Sequence, residues 1–149
     1  MTPTTSAIPA LGRLYDTVAR IVPDSGLALL MRLGIAAPFL LSGRTKVEGL
    51  LTVTDTTFYL FAEEYRLPAI PSDLAAYAAT WSEHLFPLLI ILGLATRLSA
   101  AALLGMTLVI QIFVVPTGWP THLLWAGPLV YLLARGPGAL SLDRVLRLD

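Results

Sequence analysis

Four predominantly apolar stretches dominate this sequence, at about 27–43, 74–94, 98–116 and 121–135. A transmembrane helix needs roughly 20 apolar residues, because each residue advances the helix by about 1.5 Å across a hydrocarbon layer of about 30 Å. The second and third stretches reach this length alone, and the first and fourth need a few flanking residues. The chain is therefore predicted to be all-α, an integral membrane four-helix transmembrane bundle rather than a soluble enzyme.

The composition supports this prediction and excludes several functions. Hydrophobic residues make up 56% of the chain and charged residues only 13%, whereas about a quarter of a typical globular domain is charged. The formal net charge is zero and basic residues are interspersed with acids, so the lipid bilayer is an expected partner and nucleic acid is not. The chain contains no cysteine, which excludes disulfides, thiolate metal ligands and cysteine nucleophiles.

The segments outside the predicted spans are amphipathic. Residues 1–25 comprise a polar tail and then a stretch, 11–22, in which apolar residues recur at three- and four-residue spacing, which predicts a short N-terminal helix lying in the membrane interface. Residues 26–149 form the transmembrane domain. Its long first loop, 44–73, combines charged and aromatic residues and is predicted to contain a helix that opens at Thr54 or Asp55. Residues 140–149 are predicted to form a small amphipathic tail.

The basic residues predict the orientation, because arginine and lysine in short flanking segments stay on the cytoplasmic side. With four spans, the side that holds both termini carries six arginines: Arg13, Arg20, Arg97, Arg135, Arg144 and Arg147. The opposite side carries Arg44, Lys46 and Arg66 together with five acids. The prediction is a multi-pass protein of a bacterial-type inner (plasma) membrane, with cytoplasmic N- and C-termini and loop 44–73 outside.

Few strongly polar side chains lie within or beside the predicted spans: Arg32, Lys46, Glu83, His84, Gln111 and His122. A charged group at the bilayer centre costs roughly 2.5–3.5 kcal/mol on insertion scales, so each such residue calls for a partner or a role. With a rise of about 1.5 Å per residue, Glu83 is expected roughly 13 Å and Gln111 roughly 6 Å below the outer surface. Lys46 and His122 are expected at the rim. The polar groups are therefore predicted to converge in the outer half of the bundle.

Each of these residues has a structural interpretation beside the functional one. Arg32 can snorkel to the interface or pair with a carboxylate. Glu83 can be a buried ion-pair partner instead of a proton-exchanging group, Lys46 can cap a helix end, and His122 can be an interfacial residue. Glu83, His84 and His122 could supply metal ligands, but no repeated ligand spacing supports such a site and no metal is predicted.

Short motifs of small and polar residues follow one another along residues 26–144. In chain order they are Arg32 and Gly34, Ser42-Gly43-x-x-Lys46, Leu67-Pro68 and Pro71, Glu83, Gly93-Leu94-x-Thr96-Arg97, and Gly136-Pro137-Gly138-Ala139-Leu140-Ser141-Leu142-Asp143. This order and spacing resemble the DoxX family. The resemblance implies a four-helix membrane protein in which Arg32, Lys46 and Glu83 are family-typical polar residues. The other three polar residues lie outside the general family pattern.

The resemblance also implies a link to quinones, because the family is related to the membrane subunit of a thiosulfate:quinone oxidoreductase. The leading hypothesis is a quinone-interacting subunit or small membrane oxidoreductase. Quinone reduction couples two electrons to two protons, so its site needs a titratable group at membrane depth. Glu83 and Lys46 are the predicted catalytic residues. The residues predicted to bind the quinone are Arg32, Glu83, His84, Gln111 and His122.

Two other functions stay open at this point. Loop 44–73 can bind a partner protein, which would make the chain a non-enzymatic scaffold or assembly partner of redox or metal-handling proteins. Alternatively, the polar groups can line the path of a small transporter or metal permease. Against such a path, the cytoplasmic half is polar only at Arg32, although an oligomer could supply one.

Overall fold

The computed structural model describes residues 12–13, 16–17 and 23–148 of the chain. The predicted N-terminal interfacial helix falls mostly outside these residues. Within 23–148, the helices in chain order are α1 (Asp24–Thr45), α2 (Asp55–Tyr59), α3 (Ser72–Leu92), α4 (Thr96–Val109), α5 (Trp119–Arg135) and α6 (Leu142–Leu146). Two π-helical segments extend α2 and α4, at Leu60–Tyr65 and Ile110–Val114, and a 3-10 turn, Pro116–Gly118, precedes α5.

Three of the described helices are long and apolar enough to cross a membrane: α1, α3, and α4 with its extension, Thr96–Val114. Helix α5 has only 17 residues, fewer than the roughly 20 that span a bilayer without help from flanking residues. Large apolar side chains cover the outside of the helices, and Leu85 and Leu124 are 52% and 76% exposed. Hydrocarbon rather than water suits such an extended apolar surface.

The four longer helices pack in a ring around a shared apolar core. Helix α1 packs on α3, α3 on α4, α4 on α5, and α5 back on α1. Arg32 contacts Ile90 whereas Ser42 contacts Glu83, so α1 and α3 run antiparallel. The core consists of the buried side chains Ile35, Ala36, Phe39, Ile90, Ala100, Leu103, Leu129 and Leu132. This core separates two polar clusters that lie toward opposite ends of the bundle.

The first loop contains a hairpin that the sequence did not indicate. Strands β1 (Val47–Glu48) and β2 (Thr52–Val53) pair antiparallel, and strands of two residues are too short to show an alternating pattern. Helix α2 begins at Asp55 with Thr54 as its N-cap, which confirms the predicted helix start. The Thr57 hydroxyl donates to the Lys46 carbonyl at 3.0 Å, so α2 is tied to the end of α1.

Arg32 organises one of the two polar clusters. Its side chain is 2% exposed, and its guanidinium donates to the carbonyls of Ile90 (2.7 Å), Ile91, Pro137 (3.3 Å) and Leu140. These acceptors are backbone carbonyls, not the carboxylate partner considered from the sequence. Arg32 therefore joins α1 to the end of α3 and to the segment after α5.

Asp143 completes this cluster. Its carboxylate accepts from the backbone N–H groups of Ala95 (2.7 Å) and Thr96 (2.9 Å) at the start of α4, where negative charge is favourable. Gly93 has a φ of 67°, and a Cβ there would lie 2.9 Å from Arg32 Cζ. The two glycine-containing motifs that follow α3 and α5 thus meet at one end of the bundle.

Candidate functional site

A cavity of about 370 Å³ lies on the opposite side of the apolar core from Arg32. Parts of α1, the first loop, α3, the α4 extension and α5 form its walls, and most of the lining is apolar. Its polar lining residues are Ser42, Lys46, Tyr65, Ser82, Glu83 and His122. We call this cavity the Glu83 pocket.

An ion pair lies on one wall of the Glu83 pocket. Lys46 Nζ is 2.7 Å from Glu83 Oε2, and the two side chains are only 12% and 5% exposed. Lys46 Nζ also donates to Ser42 Oγ (2.9 Å) and to the Ser42 carbonyl (3.4 Å), while Ser42 Oγ donates to Glu83 Oε1 (3.2 Å). The three side chains form a connected network, which lowers the cost of burying both charges.

Gly43 allows α1 to approach α3 at this network. A Cβ on Gly43 would lie 2.9 Å from His84 Cε1 and Nδ1 and 3.1 Å from Glu83 Cβ. Small residues permit such close helix contacts inside a membrane. In Ser42-Gly43-x-x-Lys46, the glycine therefore sets the interhelical distance while Ser42 and Lys46 hold the carboxylate.

His84 lies behind Gly43 and does not line the pocket. Its Nδ1 is 2.7 Å from the Thr80 carbonyl, which only accepts, so Nδ1 carries a proton. His84 Nε2 is buried and has no hydrogen-bond partner among the described residues. In 23–148, no group of three His, Asp or Glu side chains is placed to hold a metal ion.

His122 faces the pocket from α5 and is held by Gln111. Gln111 Nε2 donates to the Pro116 carbonyl at 2.7 Å, so Gln111 Oε1 accepts from His122 Nδ1 at 2.6 Å. His122 is 7% exposed. Because Nδ1 is the donor, a neutral His122 keeps an acceptor lone pair on Nε2.

Both π-helical segments contribute to the pocket wall, with Phe61 and Tyr65 from one and Ile110 and Val114 from the other. Single π turns are frequent at functional sites. Burial raises the pKa of the Tyr65 hydroxyl, and the carboxylates of Glu64 and Glu83 raise it further. Tyr65 therefore stays a neutral hydrogen-bond donor at physiological pH.

The structure brings together Lys46, Glu83 and His122 of the predicted site residues. Gln111 supports His122 from behind, and Arg32 lies in the cluster on the far side of the core. Sequence reasoning assigned no role to Ser42 and did not consider Tyr65. The i, i+4 spacing of Ser42 and Lys46, which places both on one face of α1, was a usable signal; Tyr65 gave none.

Comparison with known proteins identifies the family of the chain. The family model of DoxX matches residues 27–116. The chain belongs to the DoxX family. An uncharacterized protein of Haemophilus influenzae is 31% identical over 137 residues, which cover 83% of this chain and 85% of the relative. No solved structure matched the chain.

This assignment confirms the resemblance drawn from the motifs and, with the apolar helices, identifies a membrane protein in a lipid bilayer. The DoxX match includes Arg32, Lys46 and Glu83 and ends before His122. The ion pair of the Glu83 pocket and the arginine of the opposite cluster therefore both lie in the part of the chain that is typical of DoxX proteins.

Proposed function

We propose that this DoxX protein binds a quinone in the Glu83 pocket and exchanges protons with it through Glu83 and Lys46. The observation that carries the proposal is a mostly apolar cavity with a hydrogen-bonded, titratable ion pair on its wall. A bound quinone supplies the capacity to carry two electrons and two protons. A polar wall in an apolar cavity matches its polar ring oxygens and apolar body.

The pocket residues can meet a ligand oxygen without dismantling their network. Lys46 has three N–H donors, and its contact with the Ser42 carbonyl, at 3.4 Å, is the longest. A ligand oxygen can replace that contact at the smallest loss. Glu83 can accept from a ligand hydroxyl, and Lys46 stays bonded to Ser42 if Glu83 takes up a proton.

His122 and Tyr65 offer further contacts in the same pocket. Nε2 of a neutral His122 accepts a hydrogen bond and the neutral Tyr65 hydroxyl donates one. Since the sequence contains no cysteine, the electrons come from a partner subunit or a small external donor and not from a thiol relay in this chain.

The proposal includes a topology in which α5 is a fourth span and both termini are cytoplasmic. It is supported by the antiparallel packing, which places Arg97 and Arg135 at the same end of the bundle as Arg32. There Arg97 donates to the Leu133 and Ala134 carbonyls beside Arg135. Concentration of arginine on one side is typical of the cytoplasmic face of an inner-membrane protein, and it puts the Glu83 pocket in the outer leaflet.

Glu83→Gln is expected to weaken binding of a short-chain quinone at least about tenfold, because a hydrogen bond to a charged group contributes about 1.5–3 kcal/mol. Titration of a naphthoquinone or benzoquinone with a short alkyl chain into purified protein in nanodiscs measures the effect. Glu64→Gln is the matched control, since Glu64 is an exposed carboxylate of the first loop and does not line the pocket. Equal affinities of Glu83→Gln and wild type would remove the carboxylate from the site.

A second candidate function, a scaffold for a soluble partner, is favoured by the outer face of the first loop. Leu50 and Tyr59 are 85% and 61% exposed there, beside exposed acids. Leu50→Ser combined with Tyr59→Ala is expected to reduce recovery of a co-purifying partner at least about tenfold, because exposed aromatic anchors dominate many interfaces. Leu124→Ser, on the exterior of α5, is the control. Undiminished recovery from the loop variant would count against this function.

Transport is less well supported by the structure. Phe39, Ile90 and Leu103 belong to the closely packed apolar layer between the Glu83 pocket and Arg32. A polar solute crossing the described bundle would have to pass this layer without hydrogen-bonding groups, which is costly. A binding site that opens toward one leaflet fits the geometry better than a transport path through the bundle.

A further inference from the structure

A second cavity, a groove of about 600 Å³, lies between α4 and α5. Its lining is almost entirely apolar and includes the small residues Ala101, Gly105 and Ala126. A Cβ added at Gly105 would meet nothing within 4 Å. The groove is therefore open space, exposed on the side of the bundle and shaped for an apolar chain.

The groove adjoins the proposed quinone site at His122. His122 lines both the groove and the Glu83 pocket, and Gln111 and Trp119 lie with it in the groove wall. The other polar lining residue, Thr107, uses its hydroxyl on the Leu103 carbonyl at 2.8 Å. The groove thus has polar groups where it reaches His122 and an apolar lining elsewhere, and one amphipathic molecule can occupy both cavities.

Two kinds of amphipathic molecule fit this shape, an anionic phospholipid and an uncharged quinone, and the charge of the pocket distinguishes between them. The Lys46–Glu83 pair makes the described wall of the Glu83 pocket neutral overall, with a carboxylate on it. An anionic phospholipid headgroup would meet that carboxylate without a surplus cation, whereas an uncharged ring with two oxygens needs only hydrogen bonds. The pocket therefore suits the head of a neutral lipid-soluble carrier.

We infer that the groove between α4 and α5 holds the apolar tail of the quinone, so that the ligand is a long-chain, membrane-resident quinone that enters sideways from the bilayer. This inference rests on the proposed function, because it takes the ring to lie in the Glu83 pocket. It adds that the tail leaves past His122, between two helices, rather than through the first loop.

Gly105→Leu fills the groove without touching the Glu83 pocket. In nanodiscs, this variant should bind a quinone with a tail of several isoprene units at least about tenfold more weakly than wild type, since the new side chain occupies the space that the tail would take. Binding of the short-chain quinone should stay within about twofold of wild type, because the short chain needs little of the groove. Gly34→Leu is the matched control: Gly34 lies exposed on α1, and a Cβ there also has nothing within 4 Å. Ala101→Leu is a second groove-filling variant.

A photoreactive group on the long tail provides an independent readout. It should label α4 and α5 residues of the groove, and Gly105→Leu should reduce that labelling while Gly34→Leu should not. Unchanged long-chain binding in both groove variants, or labelling confined to the first loop, would overturn the inference while leaving the proposed function intact. If the groove is labelled only by a photoreactive phospholipid, the occupant is an acyl chain and the inference is wrong. If wild type binds neither quinone, the proposed function fails and the inference fails with it.

Discussion

Arg32→Met is expected to lower the free energy of unfolding by about 3–5 kcal/mol, because four backbone carbonyls lose hydrogen bonds to a charged donor, each of which contributes about 1.5–3 kcal/mol, less the cost of burying the cation. The guanidinium serves carbonyls of two separate segments, the end of α3 at Ile90 and Ile91 and the stretch that contains Pro137 and Leu140. Methionine fills similar space but donates no hydrogen bond, so these carbonyls lose their shared donor in an apolar environment. The bundle should open first at this end.

Thermal unfolding in detergent, followed by the loss of monodisperse protein, measures this effect. Arg44→Met is the matched control. Arg44 lies on the same helix and its guanidinium likewise donates to backbone carbonyls, those of Leu50 and Gly49, but its side chain is exposed. Its loss should cost at most about 1 kcal/mol. Equal destabilisation by the two variants would contradict the role assigned to Arg32.

The second large effect concerns the ion pair of the Glu83 pocket. Lys46→Met and Glu83→Met should each lower the free energy of unfolding by about 3–5 kcal/mol, because each leaves a charge in the pocket wall without its partner. The double variant should recover most of that loss, since two apolar side chains of similar volume replace a buried pair at little cost. Binding of the short-chain quinone should stay at least about tenfold weaker in all three.

This double-mutant cycle distinguishes a structural role of the Lys46–Glu83 pair from a role in quinone binding. A stable double variant that no longer binds quinone shows that the pair is retained for its ligand. Wild-type affinity in the double variant would mean that the pair only holds α1 against α3 and that the quinone, if bound, is recognised elsewhere. Ser42→Ala is the companion measurement, because it removes two hydrogen bonds from the network, those of the Ser42 hydroxyl with Glu83 and Lys46, without creating a lone charge.

Much of the helical layout could be predicted from hydropathy and turn residues. The predicted spans 27–43, 74–94 and 98–116 differ from α1, α3 and extended α4 by a few residues at either end, because Pro and Gly mark where an apolar helix stops. The fourth stretch, 121–135, forms α5, and its passage across the membrane is part of the proposal. The family resemblance also singled out Lys46 and Glu83 as polar residues of the bundle, but it did not pair them with each other.

The remaining features depend on contacts that a linear pattern does not contain. The two π-helical segments have only 6 and 5 residues, about one turn each, which is too short for hydrophobic periodicity to distinguish them from an α-helix. The partners of Arg32 are backbone carbonyls, and every residue type supplies one, so the sequence offered no basis for choosing them. Asp143 was visible only as part of a motif, and its capping of α4 depends on the tail folding back across the bundle.

That fold-back has a consequence for biosynthesis. Arg32 enters the membrane with the first helix, whereas two of its acceptors, Pro137 and Leu140, lie 105 and 108 residues later in the chain. At a synthesis rate of about 5–20 residues per second, the arginine waits for seconds before the ribosome delivers them. The insertion machinery or the lipid headgroups must shelter the cation during this interval, and Arg32 has all four of its acceptors only after Leu140 has been synthesised.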